Sequence, residues 1–174
     1  MKSVELGEYT SKNEVVEGVD MWRKNLGLEV EEINAEKPWG AYWKIKKESL
    51  GLFLELFFPE MIGSDTQMDL SPKFLLVAPK EKLSWQYHDR RAEEWKVVIG
   101  EVRVKLSETD EEPEDGKLYT EGDVIDLKRE VRHRLIGEDG WGLVAEVWVH
   151  TDPDSPSDEE DIVRLADDYG RERR

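Results

Sequence analysis

From residue 73 to residue 150 the chain breaks into short apolar stretches separated by turn residues, and this rhythm limits the fold more than any other feature. Candidate strands are 73–78, 83–88, 95–99, 101–106, 123–127, 133–136 and 142–150, with breaks at Pro79-Lys80, Gly100, 111–116, Glu121-Gly122 and 138–140. Many short strands at near-even spacing predict an all-β sandwich or barrel. Ahead of them, Val16, Val19, Trp22 and Leu26 share one face of a helix expected over 15–26. Lys37-Pro38-Trp39-Gly40 is a turn signal before a short strand at 41–45. Leu50, Phe53, Leu54, Phe57, Phe58 and Met61 recur at helical spacing over 48–61, with Pro59 expected to end that helix early. Such a stripe reads as a face that docks on the core. A chain of 174 residues fits one domain. We divide it into an N-terminal helical extension, 1–36, and a β-domain, 37–174.

Cysteine is absent, so disulfides and thiolate ligands are excluded and any metal must be held by nitrogen and oxygen. The N-terminal segment lacks the apolar run of a signal peptide, and the most apolar stretch, 50–62, is too short to span a bilayer. The expectation is a soluble, cytoplasmic protein with no membrane partner. A net charge of −16 argues against nucleic acid as a partner. Two acidic runs, 108–115 and 152–161, carry six acids each and no base, and read as solvated loops. Six bases nevertheless gather beside two of the three histidines: Arg90, Arg91, Lys128, Arg129, Arg132 and Arg134. A local basic cluster in an acidic chain points to an anionic ligand.

If 83–90 is a strand, alternation puts Gln86, His88 and Arg90 on one face. A bend near Arg91-Ala92 lets Glu93 face the same interior, and His133 can approach from a later strand. Gln86, His88, Glu93 and His133 then form a candidate ligand set for a divalent metal. Arg90, on that face, is read as a substrate-binding cation. Strict alternation turns Arg132 and Arg134 toward the surface. His150 reads as a strand-end residue outside the site.

The segment Gln86-x-His88-x4-Glu93-x6-Gly100 resembles the first motif of cupins, with Gln in place of the first His. It is similar in particular to the stand-alone and C-terminal cupin domains of type II mannose-6-phosphate isomerases, whose motif runs Q-x-H-x-H-R-x-E-H-W. Lys37–Gly40 resembles that family's R-P-W-G, His133-Arg134-Leu135 its H-R-L, and residues 161–171 its D-I-V-R-x-x-D-x-Y-G-R tail. The resemblance runs from about residue 37 to 171. The family's second motif, P-x-G-x-x-H, departs to Lys128-Arg129-Glu130-Val131-Arg132-His133, so the loop before His133 is expected to differ in shape. Arg90 and Glu94 stand where relatives carry further histidines.

The resemblance implies a cupin jelly roll, with the N-terminal helices packed outside and the C-terminal tail folding back over the barrel mouth. It implies one divalent ion on Gln86, His88, Glu93 and His133, with zinc expected first and manganese, cobalt, nickel or iron as alternatives. It implies isomerisation of a sugar phosphate, of the mannose 6-phosphate to fructose 6-phosphate type, with Arg171 as the catalytic cation, and it is compatible with a homodimer. The proton-transfer base stays open among Glu146, Glu94 and Lys96. A non-catalytic cupin that binds a sugar phosphate through the same metal is the alternative. An iron-dependent dioxygenase is disfavoured by the Gln ligand and by the isomerase-like tail.

Overall fold

The structure, a computed structural model, describes residues 11–63 and 69–171; the first ten residues, part of the N-terminal segment read above, lie outside these. Helix α1 (Lys12–Asn25) begins three residues earlier than its apolar face suggests, because Ser11 and Glu14 form a reciprocal cap at its start. Val15, Val19 and Trp22 are its buried face. The second apolar stripe is split into a 3-10 turn (Lys47–Ser49), helix α2 (Leu50–Phe57) and another 3-10 turn (Pro59–Met61). Pro59 lacks an N–H to continue the ladder, which ends α2 early as expected. Among the described residues no helix is long and apolar enough to cross a membrane.

Among the described residues eleven strands follow or intervene: β1 (Val30–Asn34), β2 (Gly40–Ile45), β3 (Leu70–Val77), β4 (Trp85–Tyr87), β5 (Arg91–Ile99), β6 (Glu101–Ser107), β7 (Lys117–Thr120), β8 (Val124–Leu127), β9 (Arg132–Gly137), β10 (Gly142–His150) and β11 (Val163–Ala166). They form a six-stranded sheet, β1-β2-β3-β10-β5-β8, and a five-stranded sheet, β11-β4-β9-β6-β7, antiparallel throughout. This is the jelly-roll expected. Strand β1 lies within the segment expected to be helical, and it extends the six-stranded sheet past β2.

The central strands of the six-stranded sheet are apolar on both faces, and alternation divides them cleanly. Ala41, Trp43, Ile45, Phe74, Leu76, Leu143, Ala145 and Val147 face outward and pack beneath α1 and α2. There Phe53 and Phe74 have ring centroids 5.1 Å apart, and Trp22 and Phe74 5.5 Å. Tyr42, Leu75, Val77, Trp95, Val97 and Val144 face inward and meet Val102, Val104, Ile125 and Leu135 in a second core between the sheets. Lys73, Arg91, Glu93 and Glu146 share the inward parity of these strands and are buried. The fold therefore carries four charged or ionisable groups into the space between its sheets.

Gly40, which closes the Lys37–Gly40 turn, has φ 149°, and a Cβ there would lie 1.8 Å from the Leu76 carbonyl oxygen. Gly40→Ala is expected to lower the unfolding free energy by about 2 kcal/mol or more in urea denaturation, since neither sheet backbone can yield.

Candidate metal centre

Gln86 on β4 is the register partner of His133 on β9. His88 follows β4 directly, and Glu93 lies on β5 opposite Trp148. Two backbone clasps bring these pieces together. The Glu130 N–H donates to the His88 carbonyl, which joins the turn before His133 to the end of β4. The Asp161 carboxylate accepts from the Asp89 and Arg90 N–H groups at 3.0 and 3.1 Å, which shapes the turn from β4 into β5.

The imidazoles are held as neutral tautomers. Nδ1 of His88 donates to the Asp161 carbonyl at 2.5 Å, and Nδ1 of His133 donates to the Val131 carbonyl at 3.0 Å. Each Nε2 is thereby left as a lone pair. Those lone pairs face the Glu93 carboxylate, His88 at 3.2 Å from Oε1 and His133 at 3.6 Å from Oε2. Ligand atoms of His88, Glu93 and His133 all lie within 4.8 Å of one another. The Gln86 amide approaches His88 Nε2 at 3.5 Å through its nitrogen, while its oxygen accepts from the Ser84 hydroxyl. Rotating the amide by half a turn would present the oxygen instead.

Burial pushes the His88 imidazole down to about 3 and lowers His133 as well, with Glu93 opposing in both cases. Burial alone would raise the Glu93 carboxyl, but the Arg91 guanidinium, which donates to it at 2.8 Å, opposes this and holds it below the ordinary range. Three acceptors thus converge with few donors between them. Arg91 satisfies some of this: its guanidinium donates to Glu93 Oε1 at 2.8 Å and lies 3.1 Å from His88 Nε2. His133 Nε2 is buried with no partner. An orphaned buried lone pair costs about 1–3 kcal/mol, a cost that a bound cation or a hydrogen-bond donor would offset. Two neutral imidazoles, a carboxylate and an amide form an N and O donor set suited to a divalent ion. The residues fit the metal that the resemblance implies.

The cavity beside this cluster is lined by Gln86, Arg91, Glu93 and Trp95, and also by Lys37, Lys73, Glu146, Glu159, Arg164 and Arg171. Of the three candidate bases, Glu146 alone lines it. Glu94 lies on the outer parity of β5, where burial and the acids Glu60 and Asp126 raise its carboxyl, and Lys96 donates to the Phe57 carbonyl. Trp95 Nε1 donates to both Glu93 Oε2 and Glu146 Oε1, each at 3.1 Å. Burial first, then the Glu93 charge, pushes the Glu146 carboxyl up to about 8.

Arg171 reaches the cavity, held by Asp167 and lying 5.4 Å over the Tyr169 ring. Arg90 does not line it. Strand β4 ends at Tyr87, so alternation no longer governs residue 90, and its guanidinium turns to Ser155, the Pro156 carbonyl and Asp158. Arg134 is also displaced from its expected place: it is buried against the Leu83 carbonyl, Glu112 and Asp168. The acidic runs supply Glu112 and Asp158 among these partners, so they are not simply solvated. His150 ends β10 away from the ligand atoms, bonded to Ser71 and the Ser157 N–H. In the sequence Arg91 reads only as one of the basic cluster and Lys73 has no site role, although their parity with Glu93, Trp95, Leu75 and Val77 is the signal that places them inside.

Residues 62–167 match the protein family described as mannose-6-phosphate isomerase C-terminal. Among curated proteins, a mannose-1-phosphate guanylyltransferase of Escherichia coli (strain K12) is 34% identical over 99 residues, covering 57% of this chain. One of the same name from Salmonella montevideo is 30% identical over 99 residues. The matched stretch is only 19% of the length of each of these relatives. Among solved structures, a mutant of Bacillus subtilis oxalate decarboxylase OxdC aligns with a TM-score of 0.52 and 15% identity, over 77% of this chain and 30% of that one. The capsular polysaccharide assembling protein CapF of Staphylococcus aureus aligns at 0.51 and 15%, over 77% and 34%. At such identities the likeness establishes the fold, a jelly-roll cupin.

Glu130 stands where the resembled motif has Gly, and it keeps a left-handed backbone at φ 67°. The turn thus carries a left-handed residue at the cost of strain that Gly would not carry. Glu130→Gly is expected to raise the unfolding free energy by up to about 1 kcal/mol in urea denaturation.

Proposed function

The chain belongs to the mannose-6-phosphate isomerase C-terminal family, and from that premise we propose that it is a metal-dependent aldose–ketose isomerase of a sugar phosphate. The substrate pair is of the mannose 6-phosphate and fructose 6-phosphate type. The observation that carries this reading is a cavity beside the His88–Glu93–His133 cluster, lined by Gln86 and Glu93 of the ligand set, by the buried Glu146 and by a cationic rim. The names of the curated relatives, which concern a phosphorylated mannose, agree with that substrate class.

His88, Glu93, His133 and Gln86 would hold the ion. When bound, it supplies Lewis-acid polarisation of the sugar's oxygens. Aldose-to-ketose conversion moves a proton from C2 to C1, while a second proton passes from the C2 hydroxyl to the oxygen on C1. Glu146 is the group that takes and returns the carbon-bound proton. Its carboxyl, pushed up to about 8, exchanges protons near neutral pH. Trp95 orients it through the indole N–H that it shares with Glu93. Glu146 is itself buried, in a cavity whose apolar lining of Tyr42, Leu75, Leu83 and Trp148 limits water at the transfer. Arg171, poised by Asp167, contributes positive charge where the sugar's oxygens become more anionic.

A second reading, binding of a sugar phosphate without turnover, is favoured by Arg91. Its guanidinium already neutralises Glu93 and reaches His88, so the cluster has a resident cation. Turnover decides between the two readings.

Metal analysis of purified protein should find one divalent ion per chain. His88→Ala and His133→Ala should each lower its affinity at least tenfold, while His150→Ala retains it; full retention by both of the former removes this ligand set. The metal-loaded protein should interconvert mannose 6-phosphate and fructose 6-phosphate, or a close pair. In that assay Glu146→Gln should lose about a hundredfold or more in kcat with the metal retained. If a panel of aldose and ketose phosphates binds with several divalent metals present, and none is converted, the isomerase reading fails and the binding reading stands.

A further inference from the structure

We infer that the anionic group of this cavity's ligand binds at Lys73, in the place that the Glu159 carboxylate occupies, and that Glu159 is an internal competitor for it. The inference rests on the reading that the cavity takes a sugar phosphate.

Lys73 is an unusual residue for the inside of a β-sandwich. Its side chain is 7% exposed, and its ammonium lies 4.1 Å over the Trp148 ring and 4.9 Å from the centre of the Tyr42 ring. These two aromatic faces fix the amine in place, and a buried ammonium needs an anion beside it. Among the described residues its ion-pair partner is Glu159, at 2.7 Å. Glu146, its register partner on β10, bonds Trp95 instead. Lys37, Arg164 and Arg171 line the same cavity, so Glu159 is set among cations. Lys37 registers the crowding: burial lowers its ammonium, Arg171, Arg164 and Lys73 lower it further, and Glu159 opposes them.

Three other cations of the region are committed to partners that are harder to displace. Arg91 holds Glu93 and Ser157, Arg134 holds Glu112 and Asp168, and Arg171 holds Asp167, which is almost wholly buried. Glu159 differs from Asp167 and Glu93 in being 51% exposed at its side chain. A carboxylate with one ion pair and half its surface in water loses little by turning out to solvent. Its backbone need not follow. Asp158 is held by Arg90, and Asp161 by Ser157 and the 89 and 90 amides, so the loop stays pinned on either side of residue 159. A phosphate dianion arriving at Lys73 brings more charge than the single carboxylate it displaces. Glu159 thus holds the buried ammonium neutralised and sets a threshold that only a strongly anionic ligand passes.

Calorimetric titration of the metal-loaded full chain with mannose 6-phosphate, inorganic phosphate and neutral mannose tests this. Glu159→Gln should tighten both phosphate-bearing ligands by about three- to tenfold and leave mannose unchanged. Lys73→Met should weaken the same two ligands by about ten- to a hundredfold. Because Lys73 is buried and its variant can fail to fold, the exposed Glu159 substitution is the deciding one. If the wild type binds mannose 6-phosphate and Glu159→Gln leaves that affinity unchanged or weaker, the inference is wrong while the sugar-phosphate reading survives. If neither wild type nor Glu159→Gln binds any phosphate-bearing ligand, both fall together.

Discussion

A carboxylate carried between two β-sheets must be answered by positive charge or hydrogen bonds, and the arrangement around Glu93 is that answer. Arg91 and Trp95, two residues away on either side along β5, donate to its two oxygens, while His88 and His133 turn lone pairs toward them. Because the imidazoles are neutral, they do not satisfy the carboxylate; they add to the concentration of acceptors. The centre is therefore poised for a cation, and its strongest structural demand is the unpartnered His133 nitrogen. The clasp from Glu130 to His88 and the Asp161 hub keep those acceptors together. Without such clasps, like-signed dipoles would push them apart.

The fold can tolerate this polar interior because it does not rely on that interior for most of its core. Helices α1 and α2 cover the outer face of the six-stranded sheet with Val19, Trp22, Phe53 and Phe57, a layer whose buried polar members, Arg23 and Ser49, bond the backbone at Leu28 and Glu29. The inner layer is then free to give Lys73, Arg91, Glu93 and Glu146 the inward positions of three neighbouring strands, β3, β5 and β10. These strands lie side by side in the sheet, so four charged or ionisable groups share one wall. Residues 151–171 close the cavity from the other side. Asp161 shapes the turn after β4, Asp168 meets Arg134, and the Tyr169 hydroxyl donates to Glu81 at 2.5 Å.

The sequence by itself determined the parts of this protein that depend on local periodicity. Alternation and spacing identified eight of the eleven strands, the apolar stripe of α2 with its Pro59 stop, and the group His88, Glu93 and His133 that the structure brings together. The three strands it did not identify, β1, β7 and β11, all lie at sheet edges. An edge strand pairs on one side only and leaves much of its surface in water; Tyr119 is the one buried residue of these three, so no buried apolar face marks them. Strand β8 is also an edge, yet it was legible because Ile125 and Leu127 alternate with exposed neighbours. Only the tertiary structure decided what each charge faces. Arg90 left the ligand side because β4 ends before it, Arg134 was buried by Glu112 and Asp168, and Lys73 met Glu159 from 86 residues away. Parity along a strand says which face a side chain takes, but the partner on that face is set by which strands become neighbours, and no local pattern encodes that.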